Sequence, residues 1–115
     1  MEKITSLCRN SEFQRLYRKG KTAVRSTMVI YCGKGRKGSV RLGITAGKKI
    51  GGAVCRNRAK RRIRELFRIS QPQLCRGFDI CIVARSRILT VPYDKLVRDF
   101  NSAIDELGLW DEKQK

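Results

Sequence analysis

The chain has 115 residues, 41% of them hydrophobic, which suits one small domain with a modest core; a second domain is not expected. Its 27 Lys and Arg against 10 Asp and Glu give a net charge of +17, a self-repulsion that points to a polyanionic partner, nucleic acid ahead of an anionic membrane surface. There is no histidine, so the commonest general base and every Ser-His or Cys-His nucleophile are excluded.

No apolar run approaches the roughly 18 to 20 residues that span a bilayer, and MEKITSLCRNSEF lacks the apolar stretch of a signal peptide. A soluble, cytoplasmic protein with no membrane partner is expected. Cys8, Cys32, Cys55, Cys75 and Cys81 form no C-x-x-C pair, and no histidine completes a zinc site. They read as small buried or half-buried hydrophobes in a reducing compartment.

In chain order, residues 1 to 10 read as an extended arm, basic at Lys3 and Arg9, with Ile4 and Leu7 available to tack it onto the body. Ser11 and Gln14 fit a capping box, Phe13, Leu16 and Tyr17 share a helical face, and Gly20 stands where a left-handed C-terminal residue is wanted. A short helix over about 11 to 19 follows. The β-branched run from Ala23 to Cys32 predicts a strand, closed by the basic turn GKGRKG. Val40, Leu42, Ile44 and Ala46 alternate with Arg41, Gly43 and Thr45, the period of a strand with one buried face. These two strands are expected to pair as an antiparallel hairpin.

A helix is placed over about 53 to 69, limited by Pro72. Cys55, Ala59, Ile63, Leu66 and Phe67 cluster on one side of it, Asn57, Lys60, Arg61, Arg64 and Arg68 on the other, and Arg56, Arg58 and Arg62 on the flanks. FDICIVA, nearly continuous in apolar residues after Asp79, suits an inner strand covered on both faces. Pro92, then Leu96, Val97, Phe100, Ile104 and Leu107 at helical spacing, then Gly108, define a last helix. Its polar side, with Asp94, Asp99, Asp105 and Glu106, is expected to face solvent. Trp110 is expected to fold back onto the core, ahead of a polar tail over about 111 to 115. The order α-β-β-α-β-α predicts one α+β domain, a two-layer sandwich with a small central sheet of three to four strands packed by helices. The helix before FDICIVA reads as a crossover connection, right-handed by default.

The stretch KKIGGAVCRNRAKRRIRELFR carries the chemistry. Glu65 is its one acidic residue, and the like charges Arg56/Lys60, Lys60/Arg64 and Arg64/Arg68 at i, i+4 each cost about 0.2–0.5 kcal/mol in an isolated helix, so a compensating partner is implied. Arginine dominates, and its planar fork suits phosphate oxygens. The helix N-terminus behind Gly51 and Gly52, next to Lys48 and Lys49, adds unpaired N–H groups and the positive dipole end. The alternative is a solvated basic face. Phe13, Tyr17 and Tyr31 are candidates for stacking on unpaired bases, with the core as the competing reading for each. GKGRKG lacks the spacing of a phosphate-binding loop, and Asp79 stands alone, so a metal-nuclease site is hard to build.

Residue by residue, that stretch resembles the signature of the bacterial ribonuclease P protein subunit family, K-K-x-G-x-A-V-x-R-N-R-x-K-R-x-x-R-E, with Lys48, Lys49, Gly51, Ala53, Val54, Arg56, Asn57, Arg58, Lys60, Arg61, Arg64 and Glu65 at its fixed positions. SEFQRLYRKGK, VIYC, RLGIT and GFDICIVAR resemble the flanking family segments. Gly47 and Gly52 depart from the serine and asparagine common there. The resemblance implies a holoenzyme whose RNA subunit carries the active site and removes the 5′ leader of precursor tRNA. It implies a protein that binds this RNA, receives the leader and aids binding of Mg2+ held mainly on RNA, with no protein-bound cofactor. By the same resemblance Lys48, Lys49, Arg56, Asn57, Arg58, Lys60, Arg61, Arg64 and Arg68 belong to the RNA-binding surface. Phe13, Tyr17, Val29 and Tyr31 match positions lining the leader cleft, and the crossover becomes left-handed. On the residues alone, a ribosomal-type or chaperone RNA-binding protein is the alternative.

Overall fold

The structure, a computed structural model, describes residues 5–6, 10–35, 38, 40–70, 74 and 76–110. Most of the predicted arm, Arg36 and Lys37 of the basic turn, Pro72, Cys8, Cys75 and the tail 111–115 lie outside the described residues. The elements in order are β1 (Thr5–Ser6), α1 (Asn10–Lys19), β2 (Lys21–Val24), β3 (Met28–Lys34), β4 (Val40–Thr45), a 3-10 turn (Lys48–Ile50), α2 (Ala53–Ser70), β5 (Phe78–Ala84), a second 3-10 turn (Ser86–Leu89) and α3 (Tyr93–Leu107).

The fold is α+β, with a mixed sheet in the order β1-β4-β5-β3-β2, in which β1 adds a two-residue strip to four longer strands. The expected hairpin of β3 with β4 does not form. β5 lies between them, antiparallel to β3 and parallel to β4. The reason is burial: Ile80, Cys81 and Ile82 are fully buried and need a strand on either edge as well as cover on both faces. The parallel pairing makes α2 a crossover connection, as expected. The hairpin that does form is β2 with β3, because the run read as one strand bends at Arg25–Thr27, where Arg25 N–H donates to Met28 O at 2.9 Å. No glycine or proline marks that turn.

Alternation along the strands divides the sheet into two faces. Met28, Ile30 and Cys32 of β3, Val40 and Leu42 of β4, and Ile80 and Ile82 of β5 face the main core, which α2 covers with Ala59, Ile63, Leu66 and Phe67 and α3 with Leu96, Phe100, Ala103 and Ile104. Trp110 packs on this core and bridges Leu74, as expected. α3 ends in a left-handed Gly108 (φ 69°), with Leu109 N–H donating to Ile104 O at 3.1 Å and its side chain buried.

α1 lies on the opposite face, where Leu16 and Cys81 form a small second core with Phe13, Tyr31 and Val83. Gly20 does not take the left-handed conformation expected of it, since β2 begins at the next residue. Glycine is needed there for close approach: a Cβ would run into the Leu16 and Cys32 carbonyl oxygens. α3 also departs from expectation. Asp99 is buried, because the β2–β3 turn lies against it and Thr27 Oγ1 donates to its carboxylate at 2.7 Å, as does Lys95 Nζ at 2.9 Å.

Candidate nucleic-acid interface

Two surfaces bring the predicted residues together, one on each side of the sheet. The first is the outer face of α2. Asn57, Arg58, Arg61, Arg64 and Arg68 are exposed, and Lys60 and Arg56 are half-buried at its margin. Ile50, buried at the end of the 3-10 turn, anchors the loop that holds Lys48 and Lys49 in solvent, and Gly51 (φ 133°) turns the chain into α2 in a conformation open to glycine alone. The turn that carries the lysine pair thereby lies against α2.

That first turn differs from the helical projection in one respect. Cys55 is exposed, with Ala53 and Val54, because burial against the sheet starts only at Ala59. The N-terminal turn of α2 therefore overhangs the core, and its dipole end and backbone N–H groups stay open to an anion.

The cations of α2 are not equivalent. Arg62, read as a flank residue, turns toward the body and donates to Ile88 O at 2.7 Å and Val91 O at 3.1 Å, fastening α2 to the segment that leads into α3. Arg68 pairs with Glu65 at 2.6 Å, an exposed contact that holds the guanidinium above and the carboxylate below their ordinary ranges, chiefly through the hydrogen bond itself. Asn57, Arg58, Arg61 and Arg64 form the outward row. Arginines at this density, with Glu65 the one acid among them, suit a phosphate backbone.

The second surface is the sheet face under α1. Strand register aligns three rungs across β3, β5 and β4: Val29–Val83–Thr45, Tyr31–Cys81–Gly43 and Gly33–Asp79–Arg41. Leu16 of α1 packs down over Gly33 and Cys81, so the helix roofs the last two rungs, and the first rung continues in register to the exposed Val24 at the β2 edge. The rings of Tyr17 and Tyr31 meet edge to face at 4.8 Å at this opening. Phe13, Val29 and Tyr31 are half-buried, and Tyr17 keeps 38% exposure. All four predicted cleft residues thus lie on the α1 side of the sheet, where the helix edge and the open rung form a recess.

Sequence reasoning missed the floor of that recess. Tyr17 Oη lies 3.7 Å from Cys81 Sγ, and Thr45 Oγ1 lies 3.9 Å from the same sulfur. Burial pushes the Tyr17 hydroxyl up from its ordinary range, and it pushes the Cys81 thiol up as well. Both stay neutral at physiological pH, which leaves an uncharged, aromatic recess suited to a base, with cations outside it. Thr45 ends the alternating strand three residues before Lys48, and that position was its available signal. Asp79 is no lone acid: Arg41 grips it with Nε at 2.9 Å and Nη2 at 2.7 Å, and Arg15 Nη2 reaches it at 2.6 Å.

Among the described residues no three His, Cys, Asp or Glu side chains converge in a way that could hold a metal ion, and Asp79 is fully engaged by arginines. No helix among them is long and apolar enough to cross a membrane.

The comparisons with known proteins agree with this geometry. The family model described as Ribonuclease P matches residues 1–108. A ribonuclease P protein component of Caldanaerobacter subterraneus subsp. tengcongensis is 34% identical over 114 residues, 99% of this chain and 98% of that one. One from Staphylococcus haemolyticus is 41% identical over 85 residues, 74% of each. The RNase P protein of Staphylococcus aureus superposes with a TM-score of 0.82 at 28% identity, over 95% of this chain and 100% of that one. That of Thermotoga maritima gives 0.75 at 27%, over 84% and 92%. By signature, fold and relatives alike, the chain belongs to the bacterial ribonuclease P protein family, the protein component of an endoribonuclease holoenzyme of tRNA processing.

Proposed function

We propose that the protein holds the RNA subunit of ribonuclease P with the outer face of α2 and receives the single-stranded 5′ leader of precursor tRNA in the recess beneath α1, while the RNA subunit breaks the bond. The observation that carries this reading is the placement of an outward arginine row and an aromatic recess on opposite sides of one sheet. Asn57, Arg58, Arg61 and Arg64 would pair with phosphates of the RNA subunit, and Lys48 and Lys49 would extend that contact. Phe13, Tyr17, Val29 and Tyr31 would pack against leader bases, which stack on aromatic faces with little regard to sequence.

The protein contributes position and charge compensation. Cleavage by protein side chains has little support: histidine is absent, and the described acids are either paired with cations or spread along α3. Among the described residues no cluster of carboxylates converges, and the reading assigns the Mg2+ ions of the holoenzyme mainly to RNA. The cytoplasm, where precursor tRNA is met, is the expected compartment. Reconstitution tests the reading. At low magnesium the protein should raise cleavage of a leader-bearing precursor by its cognate RNA subunit, and failure to do so would refute it. Cleavage by the protein without RNA would place the chemistry on protein groups instead.

A further inference from the structure

We propose that Asp79, through Arg15, is a positioning residue for the leader recess: it fixes the roll of α1 on the sheet and thereby the presentation of Phe13 and Tyr17. The proposal rests on the leader reading above.

The Asp79 side chain has no exposure, and a buried carboxylate has to be neutralised and hydrogen-bonded. Arg41, its in-register neighbour on β4, already does this with a two-point fork, its own side chain only 13% exposed. A pair confined to the sheet would be complete at that stage. Arg15 brings a second guanidinium to the same oxygen from the helix, 2.6 Å away, so the group carries one cation more than the carboxylate needs. Glycines clear the space around it. Gly33 is the rung partner on β3, and its bare Cα lets Leu16 settle on the sheet; a Cβ on Gly35 would strike the Asp79 carboxylate.

Helix geometry turns this contact into a constraint on the recess. Successive residues are rotated by about 100°, so Arg15 and Tyr17 leave α1 on nearly opposite flanks, about 200° apart. Arg15 reaches the Asp79 rung, whereas Tyr17 reaches Cys81 and Tyr31, one rung or about 7 Å further along the sheet. With ten residues, α1 is too short to hold a conformation or an orientation alone, and its apolar footing is the small Leu16–Cys81 core. The ion pair ties down one flank. The aromatic side chains on the other flank are thereby held in place, Tyr17 half-open to solvent against Tyr31 and Cys81 and Phe13 against the Leu16–Cys81 core. Without the tie α1 would rock on Leu16 and lose the placement of Tyr17 against Tyr31 and Cys81.

The test compares Asp79→Asn and Arg15→Gln with the unaltered protein in the reconstituted holoenzyme. Thermal melting checks folding, and two affinities are read: protein for RNA subunit, and holoenzyme for leader-bearing precursor relative to mature tRNA. Asp79→Asn removes a negative charge, so simple electrostatics calls for tighter RNA binding. The latch predicts the reverse for the leader: the preference for precursor falls roughly tenfold in both variants, while affinity for the RNA subunit stays within about twofold. The salt slope of precursor binding should stay unchanged in Arg15→Gln, whereas loss of a direct phosphate contact would flatten it. If Asp79→Asn fails to fold, Arg15→Gln decides, since Asp79 keeps its Arg41 fork. An unchanged or increased preference in a folded variant overturns the proposal. An unaltered holoenzyme that does not distinguish precursor from mature tRNA overturns the leader reading itself, and the latch with it.

Discussion

Arg62 and Arg64 stand two positions apart on one helix, yet they serve different ends. Arg62 spends its donors on the Ile88 and Val91 carbonyl oxygens, whereas Arg64 points into solvent. Arg62→Ala should therefore cost stability, about 1–2 kcal/mol in denaturant unfolding, because two backbone acceptors lose their partner. Arg64→Gln should leave unfolding unchanged and reduce the slope of RNA affinity against salt by about 0.7–0.9. Asp99 gives a pH test. Burial pushes its carboxyl up, but the hydrogen bonds from Lys95 and Thr27 and the Lys95 charge outweigh this and hold it below the ordinary carboxylate range. A carboxyl depressed by folding stabilises the protein above its unfolded pKa, and that contribution is lost as pH falls through the folded value. Asp99→Asn should accordingly flatten the loss of stability below about pH 4, read as melting temperature against pH. Helical projection already set Arg62 on the flank of α2 and Arg64 on its outer side, but the acceptors of Arg62 were not visible in the residues alone, and the partners of Asp79 lie 64 and 38 positions away.

Among the elements, α2 was the most legible, since its apolar stripe and its charge both repeat at helical spacing over five turns. The bounds predicted for α1, α2 and α3 agree with the observed helices to within a residue or so. Strand pairing was harder, because the period of two identifies a buried face and says nothing of which edge meets which. The β2–β3 turn has no glycine or proline, and its stability comes from the far end of the chain: Arg25 donates to Ser102 and pairs with Glu106, while Thr27 donates to Asp99. Such tertiary support overrides local turn chemistry. Gly20 offers a test at this scale. Gly20→Ala should cost about 1–3 kcal/mol, since its Cβ meets carbonyl oxygens that cannot withdraw without shifting α1 or β3. A neutral effect on unfolding would mean that α1 is not seated as closely as described.

For the molecule as a whole, the charge of +17 pointed to a polyanion and the signature stretch to a surface that could meet it. What composition and spacing could not supply was the relation between the two surfaces. The cationic α2 covers one face of the sheet and the aromatic recess opens on the other, with the Lys48–Lys49 turn at the end of β4 between them. On the proposed reading, this arrangement separates grip on the RNA subunit from reception of the leader. The most direct test is the affinity of the holoenzyme for leader-bearing precursor relative to mature tRNA, measured with Tyr17→Ala beside the unaltered protein. Loss of one stacking surface, about 1–3 kcal/mol per base, should lower the preference for precursor by at least fivefold and leave affinity for the RNA subunit intact. A preference that survives the substitution, or falls only in step with RNA-subunit affinity, would contradict the separation of the two faces.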